Sequence, residues 1–128
     1  MPPPTPTPAE LAILRALWSR GPSTVREVHT ALASDVGYTT TLKMLQVMTA
    51  KGLTVREARG ALHLYRAKQP EGQTQRRLVR DLLDRAFGGC TTQLVLQALA
   101  AKKATPEELQ EIRRLLAAHE DPREDHHD

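Results

Sequence analysis

Repeated helix-start signals constrain the fold of this chain more than any other feature of its sequence. A Thr followed three residues later by a Glu can form a capping box, in which each side chain satisfies a backbone N–H of the other residue. The pattern occurs in three places, as Thr7 with Glu10, Thr24 with Glu27, and Thr105 with Glu108. Apolar residues follow each signal at helical spacing, so the sequence predicts a helix after each one.

Further signals place the remaining elements of an N-terminal domain. The first helix is predicted to end at Gly21, and a third helix is predicted from about Thr39 to Lys51, where Gly52 stops it. Alternating residues at 53–57 and 62–67 predict two short strands joined by a turn. Three short helices followed by a hairpin are typical of a winged helix-turn-helix.

The chain beyond residue 70 is predicted to form a second, helical region. Residues 70–72 mark the boundary, and helices are predicted at about 74–87, 91–102 and 105–119. We therefore expect a mainly α fold with two domains. These are an N-terminal winged helix-turn-helix (three helices plus a β-hairpin wing) at 7–70 and a C-terminal three-helix dimerisation domain at 71–119. The Pro-rich residues 1–6 and the polar tail at 120–128 are expected to be disordered.

The helical region carries more apolar side chains than three short helices can bury by themselves. A second copy of the chain is the simplest cover, so we expect a homodimer formed mainly through this region. The residues expected in the interface are Leu78, Leu82, Leu94, Leu96, Leu99, Ile112 and Leu116.

Composition excludes several classes of protein and points to one kind of partner. A single cysteine, the lack of an apolar run of about 20 residues and an N-terminus unlike a signal peptide predict a cytoplasmic chain without membrane insertion. The net charge of +3 is uneven, because residues 1–68 carry +5 and residues 69–128 carry −2. A basic N-terminal half favours contact with nucleic acid.

In a helix-turn-helix, the second helix of the motif enters the major groove of double-stranded DNA with its N-terminal residues on the base edges. Hydroxyl side chains at such a helix start suit phosphate contact, and a lysine can reach a guanine edge or a phosphate. The predicted DNA contacts on this helix are Thr39, Thr40, Thr41, Lys43, Met44 and Val47. In the wing, Arg56, Arg59, His63 and Arg66 are predicted to contact the backbone or the minor groove. The alternative for this face is a plain helix surface whose threonines serve only as caps.

Other functions are weighed on the remaining residues. Catalysis by Cys90 would need a base, and the nearest histidines, His63 and His119, lie far along the chain. We therefore expect no enzyme and no cofactor. A redox role for Cys90 stays open, as does a helical protein-interaction adaptor that binds no DNA. A metal-responsive regulator also stays open, with its ligands near the C-terminus among His119, Asp121, Asp125, His126, His127 and Asp128.

Several motifs, in their order and spacing, resemble the penicillinase-repressor (BlaI/MecI-type) family of winged-helix transcriptional regulators. In the N-terminal half they are Pro8-Ala9-Glu10-Leu11, Leu17-Trp18, Gly21-Pro22, Val25-Arg26-Glu27-Val28, Tyr38-Thr39-Thr40-Thr41 and Lys51-Gly52-Leu53. In the C-terminal half they are Phe87-Gly88-Gly89, Leu94-Val95-Leu96, Glu107-Glu108-Leu109 and Leu115-Leu116. The similarity covers about residues 7–117.

The resemblance implies a homodimeric repressor in which each subunit binds half of an inverted-repeat operator. In the best-understood members a membrane metalloprotease sensor triggers cleavage of an Asn–Phe bond that follows the Leu-Val-Leu motif. The corresponding pair here is Gln97-Ala98, which makes it a possible cleavage site with different residues. An ordinary segment of helix in the dimerisation domain is the alternative for these two residues. The single Cys90 argues against the copper-responsive branch of the family, which carries paired cysteines.

Overall fold

The computed structural model describes residues 4–33 and 35–120 of the chain. The elements in these residues follow the predicted order, which confirms a mainly helical fold with a two-stranded hairpin. They are α1 (Pro8–Arg20), α2 (Val25–Leu32), α3 (Tyr38–Lys51), β1 (Thr54–Arg59), β2 (Leu62–Ala67), α4 (Glu71–Phe87), α5 (Thr91–Ala101) and α6 (Pro106–Glu120).

Most element boundaries differ from the prediction by one to three residues. Helix α4 begins at Glu71 rather than near Thr74. It starts directly after Pro70, which has no backbone N–H to donate to a helical hydrogen bond. Strand β1 runs from Thr54 to Arg59, so the turn of the hairpin contains only Gly60 and Ala61. Gly60 adopts a φ of 62°, in the left-handed region that a two-residue hairpin turn requires.

The predicted capping boxes begin helices α1, α2 and α6. At the start of α1, the Thr7 hydroxyl accepts the Glu10 N–H at 3.1 Å and the Glu10 carboxylate accepts the Thr7 N–H at 2.9 Å. Thr24 with Glu27 and Thr105 with Glu108 repeat this reciprocal pair. Helix α3 differs, since its N-cap is Gly37, which has no side chain to satisfy the first N–H groups.

The core of the N-terminal part lies between α1, α2, α3 and the base of the hairpin. Ser23 joins the hairpin to the helices, because its backbone exchanges two hydrogen bonds with the backbone of Tyr65, at 2.9 and 2.8 Å. Trp18, which is half-buried, donates its indole N–H to the Gln69 carbonyl at 2.9 Å. The buried apolar side chains are mainly aliphatic and comprise Ile13, Leu14, Leu17, Val25, Val28, Leu45, Met48, Leu53 and Tyr65.

The chain divides into two compact units, one ending at Asp81 and the other beginning at Leu82, so the division falls within α4. In the first unit, residues 4–6 of the Pro-rich segment line a cavity of about 50 Å³ with Leu53, Gln69 and Leu78. In the second unit, α5 and α6 carry no buried side chain. Within the described part of the chain, no helix is long and apolar enough to cross a membrane.

Candidate nucleic-acid interface

Helix α3 presents one face to solvent. Thr39, Thr40, Lys43 and Val47 are exposed there, and Met44 is half-buried beside them. These five side chains line an open groove of about 310 Å³, whose wall is completed by Glu10. The first turn of α3 adds backbone N–H groups that no side chain caps, and such groups attract anions. This face therefore combines hydroxyl, cationic and apolar groups on one rigid element.

Thr41 is a correction to the predicted set, because the structure places it in the core. Its side chain is fully buried, and its hydroxyl donates to the Gly37 carbonyl at 3.3 Å. Positions 41, 45 and 48 follow the helical spacing and together form the buried face of α3. Leu42, the next residue along the helix, is only half-buried at the edge of that face.

The C-terminal end of α3 is held by an ion pair whose acidic partner is nearly buried. Lys51 Nζ lies 2.8 Å from Glu10 Oε2, and the Glu10 side chain is 7% exposed. Burial by itself raises the pKa of Glu10, but the hydrogen bonds from Lys51 and the Thr7 amide outweigh it and leave that pKa below its usual value. The carboxylate thus joins the start of α1 to the end of α3 and keeps its charge at neutral pH.

The other end of α3 is held by a ring cluster at the turn that precedes it. The Arg26 guanidinium lies 5.2 Å from the ring centroid of Tyr38, which also meets the His29 ring edge-on at 6.0 Å. His29 Nε2 lies 3.0 Å from the Val36 carbonyl oxygen. Because a carbonyl only accepts, Nε2 carries the proton in this contact. These contacts join α2 to the start of α3.

A second, larger groove of about 570 Å³ lies between α2, α3 and the hairpin. Arg26, Arg56 and His63 line it together with Tyr38 and Gln46, and none of the acidic side chains that the structure describes belongs to its lining. Arg56 and His63 share one face of the hairpin, since they pair across it with Tyr65 and Ala58. The groove therefore presents cationic groups beside the exposed face of α3.

Sequence reasoning missed Arg26 and Gln46. The available signal was their position, since the first helix of a helix-turn-helix crosses the DNA backbone and Gln46 lies one turn beyond Lys43.

The other two predicted wing cations lie on the opposite face of the hairpin and share a carboxylate. Arg66 Nε contacts Glu57 at 2.6 Å, and Arg59 lies 3.8 Å from the same side chain.

The model of the penicillinase repressor family matches residues 6–118. The chain belongs to the penicillinase repressor family. This member is accordingly a DNA-binding transcriptional repressor, and the resemblance inferred from its motifs is confirmed. The comparison with curated proteins returned no match.

Solved structures of similar fold include a MarR family protein from Bacillus stearothermophilus. That structure is 19% identical, covers 88% of the repressor and 71% of its own chain, and has a TM-score of 0.51. The solution structure of Bacillus licheniformis BlaI, monomeric and in complex with the blaP half-operator, is 22% identical. It covers 56% of the repressor and 89% of its own chain, with a TM-score of 0.49. The likeness to the MarR family protein supports the winged-helix fold.

The remaining predicted residues of the repressor lie on its last three helices. Leu82, Leu96, Leu99 and Leu116 are exposed, by 48%, 54%, 41% and 57%, while Leu78, Leu94 and Ile112 are half-buried. Gln97 and Ala98 lie within α5 and are exposed.

The alternative of a metal-binding C-terminal tail concerns residues that lie mostly outside the described part of the chain. Asp121, Asp125, His126, His127 and Asp128 lie beyond the described residues. Among residues 4–33 and 35–120, no three His, Cys, Asp or Glu side chains cluster as a metal site would require.

Proposed function

We propose that this repressor binds an inverted-repeat operator as a homodimer, with one α3 helix in the major groove of each half-site. The observation that carries the proposal is the exposed face of α3. Thr39, Thr40 and Lys43 lie there side by side, next to uncapped N–H groups at the helix start. Phosphates bind such N–H groups, and a lysine on the next turn reaches a base edge or a second phosphate.

The groove between α3 and the hairpin supports a second set of DNA contacts. Arg26, Arg56 and His63 lie to one side of α3, where the sugar-phosphate backbone would run beside a groove-inserted helix. Arg66 contributes less in this arrangement, because its guanidinium is already bound to Glu57. We therefore assign the wing contacts mainly to Arg56 and His63, with Arg59 at the outer edge.

The homodimer is supported by the apolar surface of the last three helices. None of α4, α5 and α6 has a buried side chain in the single chain, although each carries several leucines. A monomer rarely exposes a large contiguous apolar surface, and a second copy of the same helices would cover it. Two-fold symmetry then sets the half-sites about 10 base pairs apart, or a multiple of that distance.

Binding sites can be identified by selecting genomic fragments with the full chain at physiological salt. We expect recovery of a short inverted repeat upstream of a few genes. Lys43→Ala is expected to weaken binding to that repeat by tenfold or more and to reduce the preference over random duplex, which corresponds to about 1–3 kcal/mol for a good base contact.

The matched control is Lys103→Ala, which removes the same charge from an exposed position between α5 and α6. It should leave the preference for the repeat unchanged. If both variants bind the repeat like the unaltered chain, Lys43 does not contact the bases. If no sequence is enriched, the chain acts as an adaptor or needs an effector for DNA binding.

Relief of repression by proteolysis is a further part of the proposal. A cut between Gln97 and Ala98 would divide α5 and separate α6 from the rest of the chain, which would weaken a dimer held by these helices. A protease needs an extended substrate, so α5 must unfold locally before it is cut. Exposure to a membrane metalloprotease sensor, followed by mass spectrometry, tests this step. An uncut chain under conditions that relieve repression would assign release to another signal.

A further inference from the structure

The exposed face of α3 has an apolar centre. Val47 is 41% exposed, Met44 is half-buried next to it, and both line the open groove of about 310 Å³. Among the described residues, Lys43 is the one cation of that lining, and the Glu10 carboxylate at the wall is engaged by Lys51. The face that would meet the floor of the major groove is therefore more apolar than charged.

We propose that Thr40, Met44 and Val47 bind the 5-methyl groups of thymines that flank the base contacted by Lys43. The inference rests on the proposed function, in which α3 enters the major groove. The thymine methyl is the apolar group exposed on the base-pair edges of that groove, and threonine methyls and other apolar side chains contact it directly. Thr40, Met44 and Val47 are therefore specificity-determining residues of this repressor.

Helix geometry sets how many base pairs these side chains can reach. Positions 40, 44 and 47 follow the spacing of one helix face, with Lys43 between them. At 1.5 Å per residue, the distance along the helix from Thr40 to Val47 is about 10 Å. Successive base pairs are about 3.4 Å apart, so this stripe spans roughly three of them. The thymines are accordingly expected within three consecutive base pairs of each half-site.

The same contact discriminates against cytosine. A cytosine at this position would turn its N4 amino group toward Val47, which can accept no hydrogen bond. Burying that donor without a partner weakens binding, and the methyl contact is lost as well. Discrimination at these positions therefore combines a favourable apolar contact with thymine and a penalty for the polar base.

The experiment uses the full chain and the duplex recovered by the selection. Each thymine of the half-site is replaced in turn by deoxyuridine, which removes the methyl and keeps the Watson–Crick pairing. Affinity is measured by fluorescence anisotropy. We expect about fourfold weaker binding at one or more thymines within three adjacent base pairs, the factor that corresponds to one buried methyl group. Deoxyuridine outside the half-sites should change nothing.

Variants assign the contact to individual side chains. Val47→Ala should bind the thymine and deoxyuridine duplexes equally at one position, and Met44→Ala should do so at that position or a neighbouring one. Val95→Ala is the matched control, because Val95 on α5 is 45% exposed, close to the 41% of Val47. It should keep the full fourfold difference. Circular dichroism of each variant checks that the helices are retained.

Two results would overturn the inference while leaving the proposed function in place. One is a preferred repeat whose affinity is insensitive to deoxyuridine at every thymine. The other is a thymine preference that both Val47→Ala and Met44→Ala retain in full. A chain that prefers no sequence over random duplex would instead overturn the proposed function and this inference together.

Discussion

Replacement of Lys51 by Met tests how α3 is held in place. The change keeps most of the aliphatic stem and removes the ammonium that lies 2.8 Å from the Glu10 carboxylate. That carboxylate is almost buried and keeps the hydrogen bond from the Thr7 N–H. A hydrogen bond to a charged group contributes about 1.5–3 kcal/mol. Since the Lys51 side chain is 41% exposed, water replaces part of it and we expect a loss of about 1.5 kcal/mol.

The loss should depend on pH in a defined direction. The folded-state pKa of Glu10 is lowered, so this group stabilises the fold above its unfolded pKa, near 4.5, and the contribution disappears as the pH falls through the folded value. In Lys51→Met the main partner that lowers this pKa is absent. The difference in unfolding free energy between the two proteins should therefore be about 1.5 kcal/mol at pH 7 and shrink toward zero below pH 4.

Urea unfolding followed by circular dichroism, at one protein concentration and several pH values, measures this difference. Lys43→Met is the matched control, because it removes the same charge from α3 at a position with no ion pair among the described residues. It should unfold like the unaltered chain and lose operator affinity, whereas Lys51→Met should show the opposite pattern. A loss of equal size at pH 7 and pH 3.5, or none at pH 7, would refute the assigned role of this pair.

Three further predictions follow from the same contacts. Thr41→Val should lower the unfolding free energy by about 0.5–1 kcal/mol and leave operator affinity unchanged, since the lost hydrogen bond from the Thr41 hydroxyl lies inside the protein. A loss of operator affinity would show that Thr41 contacts DNA after all. Arg56→Ala should weaken operator binding about fivefold or more, whereas Arg66→Ala should weaken it less than twofold, because the Arg66 guanidinium is already bound to Glu57. Titration of each variant with labelled operator measures the two affinities. Leu96→Ala should raise the dimer dissociation constant about 30-fold, as measured by sedimentation equilibrium. The factor corresponds to about 1 kcal/mol for each half-exposed leucine, with two such leucines per dimer.

Local sequence signals determined the elements of this fold. Each of the three capping boxes spans four residues, so its hydrogen bonds depend only on residues that are close in the sequence. Gly52 ends α3 in the left-handed conformation that glycine adopts without strain. The order of helices and hairpin follows from these signals, and it was sufficient to predict a winged helix and to indicate which helix would contact DNA.

Tertiary contacts decided which side chains remain available for that contact. Thr40 and Thr41 are neighbours of the same type, yet one faces solvent and the other the core, because packing of α3 into the core buries the stripe that contains Thr41, Leu45 and Met48. Arg56 and Arg66 differ in the same way, since strand pairing puts Glu57 beside only one of them. Contacts between residues far apart in the chain decide which side chains are buried or paired, and the ion pair between Lys51 and Glu10 is one of them. Such contacts depend on tertiary packing, which local sequence patterns do not encode.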